Sequence, residues 1–421
     1  MESHDLCINC LGRLYGALSH GFSNKERGKA IVTMICLEDD RPREFFSISP
    51  SNCDICSGLF EELPHRAQKC WEEAKIYEFE TYLVGSVIPD SALKSEQDLV
   101  EKFDLRDSEG IGHAYNRETG KFISALATRE GRQIDVDFDN PQITILHDIP
   151  EENVELRVKP VYLYGRYRKQ QRGLPQTEWP CNNCGGAGCE KCNFTGKQYP
   201  ESVEMLVSRP VKEMLQASES TFHGAGREDV DALMKGNGRP FVIELKEPRK
   251  RSWGVQQLTN LINKSGKEKV EIEQLRFVNK TAVPEIKRRR VDKEYRAIVS
   301  SNFVITEDEL QEALQSLEGK IYQRTPLRVS HRRADKIRVR KVKEATGKMV
   351  EGRKCEVRIR CSGGLYIKEL VSGDQGRTKP SLAGLLSKEL RVEKLDVMNI
   401  LGTLEFTEEG EYHFVPMEPN T

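Results

Sequence analysis

Patterns of apolar and polar positions predict helices and strands that are interleaved along the whole chain. Residues 135–138 and 142–146 alternate polar and apolar side chains, which is the period of half-buried strands. Residues 82–89 and 270–278 also read as strands. Residues 307–317 predict a helix, because Thr306 can cap its first turn and acids follow at once. Helices and strands are therefore both expected to contribute to the fold.

The segment 221–245 stands out near the middle of the chain. It joins a Gly-rich turn and several acids to the apolar run 240–245, which reads as a buried strand. Loops held on a rigid scaffold are frequent carriers of catalytic groups, so this loop is a candidate site. The alternative is a surface loop with solvated charges, since carboxylates are mostly exposed in proteins.

Charge is divided unevenly along the 421 residues. Residues 1–160 carry 18 Lys and Arg against 30 Asp and Glu, whereas the remainder carries 47 against 36. The net charge of −1 hides this division. A polyanionic partner is therefore expected to bind mainly to the basic second part. The sequence shows neither a membrane span nor a signal core, so a soluble cytoplasmic protein is expected.

Eight of the 12 Cys stand in Cys-x-x-Cys pairs. Without a secretion signal, such pairs favour metal sites over disulfides. The first two pairs predict a structural zinc site, because each pair presents two sulfurs to one side of a tetrahedron. Four unconnected buried thiols are the alternative. The residues are Cys7, Cys10, Cys53 and Cys56.

The other two pairs are joined by a Gly-rich link and predict a second zinc site. They consist of Cys181, Cys184, Cys189 and Cys192. The segment resembles half of the Cys-x-x-Cys-x-Gly-x-Gly module of Hsp40-type chaperones, which leaves a chaperone or redox protein as an alternative. Since it stands where the acidic and basic parts meet, it is expected to be a hinge or brace between two domains.

Several stretches are candidates for contact with nucleic acid. Residues 162–172 interleave aromatic and cationic side chains, a mixture that stacks bases and neutralises phosphates. A solvated sheet edge gives the same composition. The basic run of Arg288, Arg289 and Arg290 and the alternating cations of 337–340 flank the proposed site and are expected to contact phosphate.

Three motifs follow one another in the order found in pseudouridine synthases. They are an Arg-x-Asp loop, a Lys-x-Tyr strand and a Gly-then-Tyr-Ile-basic segment, within GAGREDVDAL, KEYRAIV and YIKELVSGDQGRTKPSLAGLL. Through them the chain resembles the archaeal-type Pus-ten family of tRNA pseudouridine synthases, over nearly its whole length. The segment from residue 69 to the strand at 82–89 is similar to the entry of a THUMP domain, an RNA-binding module.

The resemblance implies an α+β catalytic domain with a mixed, mostly antiparallel sheet and a central cleft. It is expected over residues 199–421. A zinc-containing, THUMP-like accessory domain is expected over residues 1–198, with its THUMP-like part at 70–172. A methyltransferase linked to such a domain is disfavoured, because the sequence lacks a Gly-rich strand-turn-helix motif that could hold its cofactor.

The implied function is isomerisation of uridine to pseudouridine in tRNA, at the neighbouring T-loop positions fifty-four and fifty-five. The family uses no catalytic cofactor, so zinc is expected in a structural role alone. A monomer that binds tRNA is expected. The alternative is a non-catalytic tRNA-binding or chaperone-like protein that contains zinc.

One carboxylate is expected to carry the chemistry. By resemblance it is Asp229, and Lys368 is the cation that keeps it ionised. The Asp can add to the uracil ring, attack the sugar, or remove a sugar proton first, and the sequence leaves these routes open. The family's usual Gly soon after the Asp is missing, so Asp231 is a rival carboxylate.

The remaining site residues are also assigned by resemblance. Tyr295 is expected to stack on the uracil and to handle a proton. Arg227 is expected to fill the gap that the flipped base leaves in the RNA stack. Tyr366 and Arg328 lie in segments that the family places near the substrate.

Overall fold

The computed structural model describes residues 4–40, 50–288, 290–407 and 411–417, except for the side chain of Arg332. The chain divides into two compact units. The first consists of Met1–Lys159 and Glu247–Arg251, and the second of Pro160–Lys246 and Ser252–Thr421. In the described part of the chain, every helix is too short or too polar to cross a membrane.

The first unit is built from helices packed on a small sheet. Its helices are α1 (Ile8–Arg13), α2 (Asn24–Glu38), α3 (Leu63–Ala74), α4 (Asp90–Lys102) and α5 (Ile111–Arg129), and its strands are β1 (Thr81–Val87), β2 (Asp135–Val136), β3 (Ile143–Asp148) and β4 (Asn153–Val158). The strand order is β2-β1-β3-β4, with β1 parallel to both neighbours and β4 antiparallel to β3. Trp71 of α3 and Ile123 of α5 are fully buried together with Tyr82 of β1. The strands predicted at 82–89, 135–138 and 142–146 are all present. Their observed ends differ from the predicted ends by at most two residues.

The second unit alternates strands with shorter helices. Its strands are β5 (Val161–Lys169), β6 (Glu219–Gly224), β7 (Leu233–Lys246), β8 (Val270–Val278), β9 (Asp292–Ser301), β10 (Gly319–Arg324), β11 (Ile337–Glu351), β12 (Lys354–Cys361), β13 (Thr378–Lys379), β14 (Leu390–Phe406) and β15 (Tyr412–Pro416). Its helices are α6 (Val203–Met214), α7 (Val255–Gly266), α8 (Ala282–Arg288), α9 (Glu307–Leu317), α10 (Ile367–Ser372) and α11 (Leu382–Leu386). The predicted bounds of β8 and α9 are confirmed, and Thr306 and Glu309 form a capping box at α9.

Eleven strands of the described chain form one sheet in the second unit. Its main order is β13-β10-β11-β12-β9-β14-β7-β5-β8, with β15 beside β14 and β6 beside β7. The parallel pair is β14 with β7, matched through Asp396 with Leu233 and Val397 with Met234, and the other pairs are antiparallel. The sheet is therefore mixed and mostly antiparallel, as predicted.

Strand β5 lies in the interior of this sheet, between β7 and β8. Its side chains Tyr164, Arg166, Tyr167 and Lys169 are at most 1% exposed. The hypothesis that residues 162–172 form an RNA-stacking surface is therefore wrong for the strand itself. Alternating aromatic and cationic residues look like an exposed edge, but here buried carbonyl and carboxylate partners compensate the cations.

Arg166 shows how such a cation is accommodated. Its Nε donates to the carbonyl of Asn237 at 2.5 Å, and its Nη atoms donate to the carbonyls of Gly238, Ile400 and Gly402 at 3.0, 2.9 and 2.7 Å. The guanidinium thus joins β7 to β14 by side-chain hydrogen bonds.

The position of β5 also moves the domain boundary. The expected boundary lay between residues 198 and 199, but residues 160–198 belong to the second unit because β5 pairs in its sheet. The second cysteine cluster, residues 181–192, lies in this second unit as well. Residues 160–172 of the THUMP-like part expected at 70–172 therefore belong to the second unit.

Two hydrophobic clusters form the core of the second unit. One surrounds Leu163, Phe241 and Ile262, and the other surrounds Val357, Leu310 and Leu370. Tyr295 packs against both clusters, so it lies where they meet. The cavity described below is at this junction.

Candidate active site

Residues 225–232 form a loop between β6 and β7, here called the acidic loop. The amide of Ala225 donates to the carbonyl of Pro240 at 2.9 Å, which fixes the loop to β7 at its start. Gly226 has φ +79°, a conformation that Gly adopts without strain. Near the loop's end, the amide of Ala232 donates to the carbonyl of Asp229 at 3.0 Å. The loop is thus hydrogen-bonded at both ends.

A cavity of about 280 Å³ opens over the acidic loop. Its other walls come from β7, β9, β11, β14, α10 and the 3-10 helix Leu327–Arg332. The residues expected from the sequence that line it are Arg227, Asp229, Arg290, Tyr295, Arg328, Tyr366 and Lys368. Small-molecule sites usually measure about 300–1,000 Å³, so this cavity has room for about one nucleobase.

Asp229 faces this cavity between two cations. Its Oδ1 accepts a hydrogen bond from Nη1 of Arg328 at 3.1 Å, and its Oδ2 lies 3.4 Å from Nζ of Lys368. The carboxylate side chain is 31% exposed, so a ligand in the cavity can reach it. Asp229 therefore combines two cationic neighbours with access from the cavity.

Lys368 is shared between two acids. Its Nζ donates to both oxygens of Asp231, at 2.9 and 2.7 Å, which is closer than its contact with Asp229. Burial alone would raise the pKa of Asp231, but the hydrogen bonds and charge of Lys368 outweigh it and lower the pKa. The side chain of Asp231 is 66% exposed, whereas that of Lys368 is only 26% exposed. Lys368 therefore links both carboxylates of the loop.

Glu228 also lines the cavity, but its side chain has no solvent-exposed surface. Its carboxylate accepts hydrogen bonds from the hydroxyl of Tyr167 at 2.9 Å and from Nε of Arg239 at 2.7 Å, and it lies 3.8 Å from Nζ of Lys169. Burial alone would raise the pKa of Glu228, but the charges of Arg239 and Lys169 and the Tyr167 hydrogen bond lower it. Glu228 is therefore an ionised group held in the core.

Buried donors also bind the backbone of the acidic loop. Nζ of Lys169 donates to the carbonyls of Leu174, Asp229 and Val230 at 2.8, 3.2 and 3.2 Å. The side-chain amide of Gln176 donates to the carbonyl of Gly226 at 2.9 Å. These hydrogen bonds satisfy carbonyls that would otherwise be buried without partners, and they fix the path of the loop.

Tyr295 and Lys293 approach the cavity from β9. Burial raises the pKa of Tyr295, so its hydroxyl keeps its proton at neutral pH. Burial, together with the positive charge of Arg239, lowers the pKa of Lys293 to about 7. The cavity thus contains an amine that titrates near neutrality.

Tyr366 lies at the start of α10, opposite the acidic loop. Its amide and carbonyl pair with the side chain of Gln323, at 2.8 and 3.0 Å. The guanidinium carbon of Arg328 lies 5.7 Å from the centroid of its ring, within the range of a cation–π contact. Arg328 also donates to Glu369 at 2.6 Å, and Glu369 is buried. The position of Arg328 is therefore set from two directions besides Asp229.

Arg227 extends from the acidic loop over an aromatic ring. Its guanidinium carbon lies 5.5 Å from the centroid of Trp179. The ring of Trp179 in turn packs edge-on against Tyr199, with centroids 5.6 Å apart. Trp179 is the aromatic residue just before the second cysteine cluster.

The predicted phosphate-binding run is divided in the structure. Arg290 lines the cavity, whereas Arg288 ends α8 with an exposed side chain. Arg289 lies outside the described residues. Arg338 and Arg340, the alternating cations of β11, also line the cavity, together with Lys293 and Arg333. The cavity is therefore basic on most sides.

Both sets of cysteines are brought together. In each set the four sulfurs lie within 4.8 Å of one another. The distance between Cys7 and Cys56 is 3.7 Å, and those from Cys192 to Cys184 and Cys189 are 3.9 and 3.8 Å. Tetrahedral zinc with bonds of 2.3 Å places its thiolates about 3.8 Å apart. The donor sets therefore fit zinc, as predicted.

Sequence reasoning missed the inner half of this site. It assigned no role to Glu228 and read Lys169 as part of an RNA surface. Arg239 and Trp179 were not singled out. The Arg-Pro pair at the start of the buried run 240–245 was the available signal, because a buried cation needs an acid near it.

Comparisons with known proteins show which families the chain is similar to. The family described as Pus10, C-terminal, matches residues 162–401, and the archaeal Pus10 THUMP domain matches residues 66–148. A protein of Methanothrix thermoacetophila named tRNA pseudouridine synthase Pus10 is 40% identical, over 94% of this chain and 92% of its own. The protein of the same name from Halorubrum lacusprofundi is 41% identical, over 97% of this chain and 96% of its own. In a solved Cbf5-Nop10-Gar1 complex, one chain is 18% identical with a TM-score of 0.30, covering 47% of this chain and 45% of that chain.

Proposed function

Because the chain belongs to the Pus10 family of tRNA pseudouridine synthases, we propose that Asp229 is the nucleophile with which it isomerises two T-loop uridines of tRNA. The uridines are the neighbours at positions fifty-four and fifty-five. The observation that carries the proposal is the placement of Asp229, which faces a basic cavity of about 280 Å³ next to Tyr295.

The reaction breaks the bond between N1 of uracil and C1′ of ribose, turns the base, and forms a bond between C5 and C1′. The proton on C5 leaves and N1 regains one, so the product is an isomer of the substrate. Asp229 can add to the ring, attack C1′, or first remove a sugar proton. Each route begins with an ionised carboxylate. Arg328 at 3.1 Å and Lys368 at 3.4 Å place positive charge beside the carboxylate of Asp229.

Tyr295 supports stacking in the cavity. Its ring packs against both hydrophobic clusters, so a base that enters the cavity meets an aromatic face in a fixed position. Its hydroxyl stays protonated because burial raises its pKa, so it can donate a hydrogen bond to the base. Tyr366 and Arg328 form the opposite wall and can contact the nucleotide there.

Entry of the base requires it to leave the RNA stack, as for other enzymes that act on nucleobases. Arg227 lines the cavity with an exposed side chain and is suited to occupy the vacated place. Arg290, Arg338 and Arg340 supply charge for the phosphates on either side. The basic second unit is therefore proposed to bind the T arm of tRNA.

The experiment that tests this function is mapping of pseudouridine in an unmodified tRNA transcript after incubation with the purified protein. Signals are expected at both T-loop uridines. A transcript with both uridines replaced by cytidine is the matched control and should give none. Pseudouridine formed only outside the T loop would contradict the proposed target and leave the chemistry intact. An inactive protein that still binds the transcript would support the binding-protein alternative.

A further inference from the structure

The residues just before the second cysteine cluster (Cys181, Cys184, Cys189 and Cys192) contact the acidic loop. Residues 182–195 include no buried side chain, so this described segment has no hydrophobic core of its own. Its sulfurs are spaced as zinc requires. A bound metal would therefore supply most of the energy that folds the segment.

The ends of this segment form a short hairpin that carries Trp179. The amide of Gln198 donates to the carbonyl of Trp179 at 2.9 Å, and the amide of Cys181 donates to the carbonyl of Gly196 at 2.8 Å. Glu178 and Lys197 add an ion pair at 2.6 Å. The backbone of Trp179 is thus fixed by the same hairpin that the cysteine cluster closes.

The hairpin reaches the acidic loop at two points. The ring of Trp179 lies under the guanidinium of Arg227, at 5.5 Å. Three residues earlier, the amide of Gln176 donates to the carbonyl of Gly226, at 2.9 Å. Arg227 has a long side chain with several rotatable bonds, so an aromatic surface beneath it limits the positions that its charge can occupy.

We infer that Trp179 is a positioning residue for Arg227, and that metal in the second cysteine cluster fixes Trp179. The cluster was expected to be a hinge or brace between domains; Gln176 and Trp179, just before it, contact the acidic loop. The inference rests on the proposed function in one respect, the role of Arg227 after the base flips. The contact itself can be tested without RNA.

The first test is a double-mutant cycle between Trp179 and Arg227. Trp179→Leu should lower kcat by about two- to thirtyfold, the range that a cation–π contact of ~0.5–2 kcal/mol gives at 1.36 kcal/mol per tenfold. KM should change little, and Trp179→Phe should retain most of the activity. In an Arg227→Ala background, Trp179→Leu should cost nothing further. An equal loss in both backgrounds would show that Trp179 acts independently of Arg227, which overturns the inference.

A tRNA with 2-aminopurine beside the target uridine reports base flipping in the same four proteins. The fluorescence of 2-aminopurine should rise less with Trp179→Leu than with the unaltered protein. The reason is that Arg227 then occupies the place of the flipped base less often. Trp253→Phe is the matched control, since Trp253 is a half-buried Trp of the second unit outside the cavity. It should match the unaltered protein in fluorescence and in kcat.

The metal is tested with Cys184→Ser, and Cys36→Ser is the control because Cys36 belongs to neither cluster. Cys184→Ser should lose one zinc ion per chain, and the fluorescence of Trp179 should shift. The signal of Trp179 is the part of the protein fluorescence that is missing in Trp179→Phe. This measurement needs no RNA, so it stands even if the T-loop target is wrong. Loss of the zinc with unchanged Trp179 fluorescence and unchanged kcat would overturn the link between metal and Arg227.

Discussion

The acidic loop has an inner and an outer side, and consecutive carboxylates occupy them. On the inner side, Glu228 is buried and receives hydrogen bonds from Tyr167 and Arg239. On the outer side, Asp229 is partly exposed and faces a cavity. A single step along the chain therefore separates a group with only protein partners from a group that can meet a ligand.

The cations on the two sides also differ. Arg239 and Lys169 are fully buried, and their charge is balanced by Glu228. The outer cations Arg328 and Lys368 are partly exposed, and each also contacts a second acid. Shared cations hold their carboxylate less firmly, so the outer side can rearrange when substrate enters. We expect the inner side to determine stability and the outer side to determine turnover.

The sharpest test of this difference is Asp229→Asn. The change keeps the size of the side chain but removes the proposed nucleophile, so kcat should fall by at least about a thousandfold. The unfolding midpoint in urea and the affinity for tRNA should change little. Single-turnover assays and binding titrations on the same preparation measure this. Retained pseudouridine formation would show that another carboxylate is the nucleophile.

Glu228→Gln tests the inner side. It leaves Arg239 and Lys169 buried without an acid, which should cost about 3–5 kcal/mol of unfolding free energy. The pKa of Glu228 is lowered by folding, so its contribution is present above the ordinary Glu value of about 4.3 and is lost as pH falls through the lowered value. Urea unfolding at pH 7 measures the loss.

The matched control for this change is Glu213→Gln, because Glu213 pairs with Arg209 on the surface. It should leave the urea midpoint nearly unchanged, since exposed ion pairs contribute little. Equal effects of the two substitutions would show that the buried position of Glu228 does not determine its contribution to stability.

Lys368→Met should lower kcat less than Asp229→Asn does. Arg328 remains 3.1 Å from Asp229, so one cation is kept and kcat should fall by only about tenfold. Stability should be unaffected. Lys388→Met, which breaks an ion pair with Glu309 outside the cavity, is the control and should leave kcat unchanged. A loss as large as that of Asp229→Asn would mean that Lys368 takes part in the chemistry itself.

Lys293 gives a smaller effect that depends on pH. Its pKa of about 7 means that it is charged below neutrality and uncharged above it, and RNA favours the charged form. Affinity for tRNA at constant ionic strength should therefore fall by about two- to tenfold between pH 6 and pH 8. Lys293→Gln should make the affinity for tRNA less dependent on pH in this range. This result distinguishes the titration of Lys293 from that of histidines. Identical profiles for both proteins would exclude Lys293 as the cause.

The smallest effect is expected for Asp231→Asn. Asp231 is exposed, and its contact with Lys368 resembles a surface ion pair. Its loss leaves Lys368 to Asp229 alone, so kcat should change by at most about threefold. Steady-state assays beside Asp229→Asn make the comparison direct. A collapse of activity with Asp231→Asn and not with Asp229→Asn would reverse the two roles.

Local patterns predicted several elements well. The helix Glu307–Leu317 has a capping residue, acids in its first turn and a buried stripe, so local and tertiary preferences agree. Strand β5 was misread because its cations are compensated by residues distant in the chain. Arg166 bonds carbonyls at residues 237, 238, 400 and 402, and nothing near Arg166 in the sequence announces them.

The same limit applies to the site. The motifs predicted which side chains line the cavity, because motifs can be recognised from the identity and order of their residues, without knowledge of distances. They could not predict that Lys368 lies closer to Asp231 than to Asp229, since that depends on how α10 meets the loop. The contact of Arg227 with Trp179 also joins segments that lie apart in the sequence.

The interior position of β5 decides where the gene can be cut. A fragment that begins at residue 199 would omit Tyr167, Lys169, Gln176 and Trp179. The second unit would then lack the residues that hold the acidic loop in place. A fragment that begins at residue 160 keeps all four. The segment Glu247–Arg251 remains a complication, because it groups with the first unit, where the carbonyl of Arg249 accepts from the amide of Glu78. Replacing that segment by a short polar turn is the rational way to obtain the second unit alone.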